Sequence, residues 1–529
     1  MKFSSAIAFL ALTVQDASAF APASSIAPST RATTPLFVAA DLERPLAEET
    51  ASNGEAAEEM DLKSLRRDPT PHAKPVSFAT KCASLYSSKP GAERALAPPV
   101  YFGSTFLLDD AGHGARLHEK REAPYTDDDG FVYSRWGSPT NEAAALQIAA
   151  LEGVDNDNDP RGLGSSLLFN SGMSSITASL MAVLRAGDHA IFPYTVYGGT
   201  HEFVSDFAQH WGVEVTFVDA AGKDGPANYK AAFRENTRVV YTETPANPTM
   251  RLTDLAGVAG VVDEFYGKAD NVVGMHPTER KRPYVMVDGT FASPYHQKVL
   301  DIEGIDVSIH SATKFLSGHS DVLAGAVTSR SEPFLHGVAK VQKLISAPLN
   351  PMDSFLLARG LRTLDVRMQR HGENAIKVAR MLEEHPLVQS VFYPGLDSHP
   401  DRELADGIFR SGRDDDMEDD DDEAPPQTYG GMISFIVAGE GEEALRRARN
   451  VCENLRVVNL AVSLGGVESL CEHPASMTHT MIPREQRVAG GLHDGLIRLS
   501  IGLERAKDLV HDLKNSLDMC DDEGCDTGF

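Results

Sequence analysis

The chain has 529 residues, 42% hydrophobic and 24% charged, a composition typical of a globular protein long enough for roughly two or three domains. Its formal net charge of −27 argues against nucleic-acid binding, because a phosphate backbone requires a basic surface. The sequence contains no run of eighteen apolar residues and therefore predicts no membrane span. The cysteines are too few and too scattered for a disulfide scaffold, and we expect reduced thiols at Cys82, Cys452, Cys471, Cys520 and Cys525.

Residues 1–40 have the composition of a targeting presequence. Lys2 precedes an apolar run, Ala6 to Val14, and small residues at 17–19 follow before Phe20, as at a secretory-type cleavage site. Residues 21–40 are rich in Ser, Thr, Ala and Pro and contain no acid, as in a transit peptide. Together they resemble the bipartite plastid presequence of algae with secondary plastids. A secretory or cytoplasmic location is the alternative, and the absence of a disulfide pattern argues against secretion.

The segment after the presequence is predicted to be a linker followed by an arm. Residues 41–77 are acidic, rich in alanine and poor in large apolar residues, which is typical of a linker. We expect an N-terminal arm over 78–138, extended from Phe78 to Phe106 because prolines interrupt it and periodicity is weak.

Short apolar runs separated by helix-length stretches then predict an α/β domain over 139–365 with a mostly parallel sheet. The predicted strands are 166–169, 190–192, 213–218, 239–242 and 284–287, with helices over 141–151 and 171–184. A helix over 366–384 and a strand over 432–437 predict a smaller α+β domain over 366–517, followed by a tail over 518–529 that frays around Cys520 and Cys525.

Three polar insertions are predicted to be loops, at 155–164, 275–282 and 411–427. Nine of the ten residues from Asp414 to Glu423 are acids. Like charges at that density repel one another and stay solvated, so we expect this insertion to be disordered.

Lys314 carries the strongest chemical signal in the chain. It lies in Ser311-Ala312-Thr313-Lys314, about 26 residues after Asp288, which ends a predicted strand. A carboxylate at a strand end and a later lysine between hydroxyl residues are typical of a pyridoxal phosphate (PLP) site. Lys314 would bind the aldehyde as an imine, Ser311 and Thr313 would bind phosphate, and Asp288 would pair with the pyridine nitrogen. Displaced by substrate, Lys314 would then act as the base that moves protons.

Other residues complete the predicted cofactor site. Ser171-Gly172-Met173 follows a strand and opens a helix, so the backbone N–H groups of Gly172 and Met173 can bind phosphate. Tyr197 is the candidate for stacking on the ring, and Asn247 for a hydrogen bond to the ring hydroxyl. The sequence predicts no metal site.

Motifs along most of the chain resemble the Cys/Met metabolism (transsulfuration) family of PLP enzymes. They occur in family order from about Phe78 to Leu517: YSRWGSPT at 133, SGM at 171, YGGT at 197, ETPANPT at 243, VDGTFASPY at 287, HSATKFLSGHSDV at 310, RGLRTL at 359, VSLGGVESL at 462, HPASMTH at 473 and GLIRLSIGLE at 495. The resemblance implies PLP fold-type I, the aspartate-aminotransferase-like α/β fold, with a smaller C-terminal α+β domain.

The resemblance also implies roles for particular residues. Tyr133 and Arg135 resemble a pair that reaches the phosphate in a neighbouring subunit, which implies a homo-oligomer, expected to be a dimer of dimers. Arg498 resembles the arginine that grips the substrate α-carboxylate, a task suited to a guanidinium. Ser463 resembles the serine beside it, and Thr478 the threonine that orients this region.

The choice of reaction within the family depends on two positions. Gly199 stands where methionine γ-lyases usually have a cysteine, as in many cystathionine enzymes. Val462 stands where γ-acting cystathionine enzymes often have a glutamate, and valine cannot pair with the distal ammonium of cystathionine. In this the chain resembles methionine γ-lyases more closely, and so do the HPASMTH and GLIRLSIGLE stretches. The sequence favours a carbon–sulfur lyase performing γ-elimination on a cystathionine- or methionine-type sulfur amino acid. The alternatives are cystathionine γ-synthase or β-lyase in plastid methionine synthesis, and, in a different class, a non-catalytic protein of the same fold.

Overall fold

The structure, a computed structural model, describes residues 77–83, 97–119, 130–154, 166–268, 276–345, 347–413, 425–478, 480, 484–489 and 491–521. The predicted presequence, the linker up to residue 76, Cys525 and the acids of 414–423 lie outside the described residues.

A seven-stranded, mostly parallel sheet forms the first half of the described chain. Its strands are β1 (Ser166–Phe169), β2 (His189–Pro193), β3 (Glu214–Val218), β4 (Thr237–Glu243), β5 (Tyr284–Asp288), β6 (Val307–His310) and β7 (Gly325–Ser329). They lie in the order β1-β7-β6-β5-β4-β2-β3, with β7 antiparallel to both its neighbours and the rest parallel. The five predicted strands are therefore confirmed, with ends that differ by at most two residues, whereas β6 and β7 were not predicted.

Helices cover both faces of this sheet, which explains why its central strands β4, β5 and β6 are almost completely buried. The helices up to residue 361 are α1 (Phe78–Ala83), α2 (Ala111–Glu119), α3 (Pro139–Leu151), α4 (Gly172–Val183), α5 (Gly198–Glu202), α6 (Gly225–Ala231), α7 (Leu255–Tyr266), α8 (Ser293–His296), α9 (Glu332–Ile345) and α10 (Pro351–Leu361). Apolar residues of α4 and α9 pack with one face of the sheet, and those of α6 and α7 with the other. A π-helical turn, Phe203–Ala208, continues α5.

The carboxyl ends of the central parallel strands meet at one edge. In the strand register Glu243 of β4 lies opposite Asp288 of β5, and Asp288 lies opposite Ile309 of β6. Parallel α/β sheets place their ligand sites outside this edge. The two acids and the chain that follows β6 are thereby brought together.

A second, five-stranded sheet lies in the C-terminal part of the chain. Its strands are β8 (Val388–Phe392), β9 (Met432–Val437), β10 (Asn459–Leu460), β11 (Leu470–Glu472) and β12 (Leu496–Ser500), in the order β10-β11-β12-β9-β8 and antiparallel except for β10 with β11. The accompanying helices are α11 (Leu364–Glu383), α12 (Arg402–Ile408), α13 (Gly441–Asn454), α14 (Arg484–Ala489) and α15 (Ala506–Asp518). Residues of α11, α13 and α15 share a core with β9 and β12, which is the predicted α+β arrangement.

The prediction of an extended arm from Phe78 is wrong at its start. Residues Phe78–Ala83 form a helix, and Ala111–Glu119 form another. Phe78 and Cys82, one helical turn apart, are buried, and the Phe78 ring packs edge-on against Tyr295 at 5.6 Å. This tertiary packing stabilises a helix too short to be recognised from periodicity.

Two predicted loop or tail segments are partly packed. In the 275–282 insertion, Arg282 is buried and bridges Asp263 and Asp306 at 2.7 and 2.8 Å. In the predicted tail, Cys520 is fully buried, and Asp521 pairs with Arg447 at 2.7 Å. The prediction that Cys520 frays is therefore wrong, because the end of α15 packs against α13.

The ends of the 411–427 insertion are also ordered parts of the core. Ser411 is fully buried, and its Oγ accepts a hydrogen bond from the Thr428 amide at 2.7 Å. Gln427 donates to the carbonyl of Phe409 at 2.6 Å. These contacts join the two ends of the insertion, and residues 414–424 lie outside the described residues.

Three further observations bear on the class of protein. Cys82, Cys452, Cys471 and Cys520 are free and buried. Among the described helices, none combines the length and apolarity needed to cross a membrane. Nor do the described His, Cys, Asp and Glu residues form a group that could hold a metal ion.

Candidate active site

Lys314 lies in a turn directly after β6. The turn is fixed by Thr313, whose Oγ1 donates to the Ala324 carbonyl at 3.1 Å and accepts from the Ala324 amide at 2.9 Å. The Lys314 Nζ donates to Ser463 Oγ at 2.7 Å. Burial and the nearby Arg498 cation lower the pKa of the Lys314 amine to about 8, while Glu472 acts in the opposite direction. The amine is therefore partly neutral near pH 8, as a nucleophile or base requires.

Arg498 on β12 is held next to this amine. It is 5% exposed, and it donates to Asn247 Oδ1 at 3.0 Å and to the Ser463 carbonyl at 2.8 Å. Its Nη2 lies 3.1 Å from Oε2 of Glu472. Its Nε is buried without a hydrogen-bond partner among the described residues. A buried guanidinium with an unused N–H group is a suitable receptor for a carboxylate.

Two buried carboxylates, Asp288 and Glu243, lie at the edge of the sheet. Asp288 accepts from the amide and hydroxyl of Thr290 at 3.0 and 2.6 Å and from the Tyr241 hydroxyl at 3.3 Å. Burial raises the pKa of both carboxyls, and the charge of Asp288 raises that of Glu243 further. No described lysine or arginine forms an ion pair with Asp288, so this position is suited to a cation supplied by a ligand.

Glu243 fixes the positions of two predicted site residues. Its Oε2 accepts from the Tyr197 amide and its Oε1 from the Asn247 amide, both at 2.9 Å. Asn247 in turn contacts Arg498. Tyr197 is 47% exposed, so its ring is available to a ligand. The sequence motif ETPANPT begins at Glu243, but no role was predicted for this residue.

The predicted phosphate site is formed where α4 begins. Ser171 caps this helix by accepting from the Ser174 amide at 3.1 Å, so the first amides, those of Gly172 and Met173, have no partner within the helix. A Cβ atom at Gly172 would lie 2.7 Å from Cβ of Ser311 and 2.9 Å from its Oγ. Glycine therefore permits the close approach of helix and turn that a phosphate cradle needs.

The contacts join the predicted residues into a continuous site. The Ser311 amide donates to Thr290 Oγ1 at 2.8 Å, and Thr290 binds Asp288. The cradle of N–H groups, the unpaired buried carboxylate and the partly neutral lysine match the phosphate, ring nitrogen and aldehyde of PLP. The described residues thus fit this cofactor. The Thr313 hydroxyl is directed to Ala324 rather than to the cradle.

Three predicted residues make other contacts. Arg135 donates to the Lys343 carbonyl at 2.8 Å and stacks 5.3 Å from the centre of the Tyr133 ring, so this pair is attached to α9. Tyr133 is 39% exposed. Thr478 forms a side-chain hydrogen bond with Glu472, a buried residue that the sequence gave no reason to select.

Arg367 connects α11 to the Lys314 turn. It is 3% exposed, and it donates to the carbonyls of Phe315, Leu316 and Gly360 at 2.7, 3.3 and 2.8 Å. Hydrogen bonds from a charged donor are stronger than those between neutral groups. The residues that follow Lys314 are therefore anchored to the C-terminal part of the chain.

The fold and this site define an enzyme of PLP fold-type I. The model of the Cys/Met metabolism PLP-dependent enzyme family matches residues 79–518, and the chain belongs to that family. Its members are PLP-dependent, which agrees with the cradle, the carboxylate and the lysine described above.

Named relatives place the chain among carbon–sulfur lyases of sulfur amino-acid metabolism. It is 38% identical to an L-methionine γ-lyase of Fusobacterium nucleatum over 425 residues, covering 80% of this chain and 93% of the relative. It is 37% identical to a cystathionine β-lyase of Lactococcus lactis over 424 residues, covering 80% and 94%. The crystal structure of a cystathionine γ-lyase from Lactobacillus plantarum complexed with L-serine matches with a TM-score of 0.69 and 33% identity, covering 84% of this chain and 99% of that one.

Proposed function

We propose that this protein performs γ-elimination on a sulfur amino acid. The observation that carries the proposal is the buried cluster in which Ser463 joins the Lys314 amine to the carboxylate receptor Arg498. This cluster can hold an amino acid by its α-carboxylate with a base beside the α carbon.

PLP, when bound, withdraws electrons from the substrate's α carbon and makes its proton acidic. Arg498 binds the α-carboxylate, and Asn247 and the Ser463 carbonyl fix the direction of its guanidinium. Lys314, partly neutral because its pKa is about 8, removes the α proton and later returns a proton to the substrate. Ser463 Oγ, 2.7 Å from Nζ, holds the amine in place between these transfers.

The remaining residues would hold the cofactor. Asp288 would pair with the pyridine nitrogen, Gly172, Met173 and Ser311 with the phosphate, and Tyr197 with the face of the ring. Thr313 supports the Lys314 turn through Ala324, and it can share its hydroxyl with the phosphate only by changing its present hydrogen bond.

The side-chain environment favours an apolar substrate tail. Val462 is adjacent to Ser463 and 55% exposed, and it offers no charge to a distal ammonium. A Cβ atom at Gly199 would lie 2.8 Å from Cε1 of Tyr197, so the observed position of the tyrosine ring depends on glycine there. Cystathionine- and methionine-type substrates are both included in the proposal.

The test is a product assay on purified protein with L-methionine, L-homocysteine and L-cystathionine. Methionine and water should give methanethiol, ammonia and 2-oxobutanoate; homocysteine should give hydrogen sulfide and cystathionine should give cysteine, each with ammonia and the same keto acid. Lys314→Ala should abolish the product, whereas Lys340→Ala, an exposed lysine of α9, should not. If no substrate yields 2-oxobutanoate, the γ-elimination proposal is wrong.

A second candidate is cystathionine β-lyase, favoured by the glycine at 199 and by the similarity to the Lactococcus enzyme. Pyruvate from cystathionine would identify it. Cystathionine γ-synthase would instead form cystathionine from an activated homoserine and cysteine. A preparation that never gains visible cofactor absorbance when PLP is added would support the non-catalytic alternative.

We also propose that the active form is a homo-oligomer, expected to be a dimer of dimers. Large apolar side chains are exposed in the N-terminal segment, before β7 and in α9, namely Phe102 (73%), Leu107 (98%), Leu323 (61%) and Leu344 (67%). Where such side chains form a continuous patch, the patch often marks a subunit interface. Tyr133 and Arg135 would then reach the neighbouring subunit's phosphate. Mixed oligomers of Arg135→Ala and Lys314→Ala chains should regain activity, and failure to do so would contradict the shared site.

We further propose that residues 1–40 direct the protein to a plastid, on the composition of that segment alone. Residues 1–40 fused to a fluorescent protein should carry it into the organelle in an alga with secondary plastids. Retention in the secretory pathway or the cytoplasm would contradict the proposal.

A further inference from the structure

Glu472 is a buried carboxylate that forms an ion pair with Arg498 and also acts electrostatically on Lys314. It lies in β11 directly opposite Arg498 of β12 in the antiparallel register, so the two side chains share one face of the sheet. Glu472 is 2% exposed, forms an ion pair with Arg498 at 3.1 Å and is hydrogen-bonded to Thr478.

The charged groups around the amine come from several elements. Arg498 of β12 and Glu472 of β11 act on Lys314 itself, with opposite signs. Glu472, Glu243 of β4 and the Tyr197 hydroxyl act on Arg498. Among the described residues, Glu472 is the anion that acts on both Lys314 and Arg498, and without it these two buried cations would repel each other.

We propose that Glu472 is a positioning residue, which orients the guanidinium of Arg498 for the substrate carboxylate and sets the charge state of Lys314. The inference rests on the proposed function, since it assigns Lys314 and Arg498 the tasks of base and carboxylate receptor. Glu472 is added as a third group, which acts through Lys314 and Arg498 and contacts neither substrate nor cofactor.

The Glu472 carboxylate has opposite effects on proton removal by Lys314 and on substrate binding by Arg498. It stabilises a proton on Lys314, which keeps the amine from becoming too weak a base. It also neutralises part of the Arg498 charge, which limits the attraction for the substrate α-carboxylate. Loss of the negative charge should therefore weaken the base and strengthen carboxylate binding together.

The test is a pH titration of the visible absorbance of the PLP-loaded protein, which reports protonation of the nitrogen that Lys314 contributes. Glu472→Gln keeps the size and removes the charge. Because an anion near a cation favours its protonated form, the midpoint should move to lower pH in Glu472→Gln and remain near that of the wild type in Glu472→Asp. Glu453→Gln removes the same charge from an exposed site on α13, 3.5 Å from Arg449, and should leave the midpoint unchanged.

Kinetics on the sulfur amino acid supply a second measurement. In Glu472→Gln both kcat and KM should fall, whereas simple damage to the site would lower kcat and raise KM. Thr478→Val removes a hydrogen bond from Glu472, which makes its charged form less favourable. It should move the midpoint in the same direction by a smaller amount, and it serves as the test if Glu472→Gln does not fold.

The outcomes separate this inference from the proposed function. An unchanged midpoint in a folded, PLP-loaded Glu472→Gln protein, or in Thr478→Val if that variant alone folds, overturns the role of Glu472 even when 2-oxobutanoate is formed. A shifted midpoint in a protein that forms no keto acid overturns γ-elimination and leaves the role of Glu472 intact.

Discussion

Lys314 should make the cofactor-free protein less stable than a neutral side chain would. Burial and Arg498 lower its pKa from 10.5 to about 8. At neutral pH the folded chain therefore carries a proton that it binds less tightly than the unfolded chain does. The difference between these two pKa values corresponds to about 3 kcal/mol of lost folding free energy. Partial solvent access and the lost hydrogen bond to Ser463, about 1 kcal/mol, reduce the net gain. We expect Lys314→Met to raise the free energy of unfolding by about 1–2 kcal/mol near neutral pH.

The sign of the pH dependence makes this prediction specific. Between about pH 8 and about pH 10.5 the unfolded chain binds a proton at Lys314 that the folded chain has released, so wild-type stability rises with pH over this window. Lys314→Met lacks that titration, while all other groups are common to both proteins. The advantage of the variant should therefore disappear as the pH approaches about 10.5.

Urea unfolding of both cofactor-free proteins, at matched concentration and several pH values, measures the difference. The two tryptophans, Trp136 and Trp211, provide the fluorescence signal. Lys340→Met, which changes an exposed lysine, is the control and should show no such pH dependence. A variant that is less stable than the wild type at neutral pH, or a difference that does not vary with pH, would refute the reasoning.

Gly172→Ala should weaken PLP binding and also lower stability, because the new Cβ would lie 2.7 Å from Cβ of Ser311 and force the helix and the turn apart. Equilibrium dialysis of the folded variant measures the affinity, and unchanged binding would contradict the prediction. Asp288→Asn should lower kcat strongly and PLP affinity less, because it removes the anion expected at the pyridine nitrogen. A kcat near that of the wild type would exclude the pairing of Asp288 with this nitrogen. Deletion of 414–424 should leave the product assay nearly unchanged, because Ser411 and Thr428 join the ends of the insertion independently; a large loss of activity would assign it a role.

Local signals in the sequence were sufficient to predict much of the first sheet. Its five predicted strands are short apolar runs ended by polar or glycine residues, so Asp288 could be placed at a strand end, whereas β6, the strand before the Lys314 turn, was not predicted. The motif at 171–173 predicted the helix start, and Ser171 indeed caps α4. These features depend on residues close together in the chain.

Features that depend on distant contacts were missed. The pairing of Glu472 with Arg498 requires the register of β11 and β12, which no local pattern specifies. The burial of Arg282 depends on Asp263 and Asp306, and without these partners the segment resembles a polar loop. Glu243 could have been recognised as a site residue, because it ends a strand parallel to that of Asp288. Two carboxylates at the ends of adjacent parallel strands suggest a ligand-binding site.

The anchorage made by Arg367 has a mechanical consequence. Because this buried guanidinium binds the carbonyls of Phe315 and Leu316, a displacement of α11 would pull directly on the chain next to Lys314. A hinge motion of α11 would therefore also displace the Lys314 amine. Substrate is therefore better admitted by movement of exposed side chains such as that of Tyr197, which is 47% exposed, than by a shift of α11.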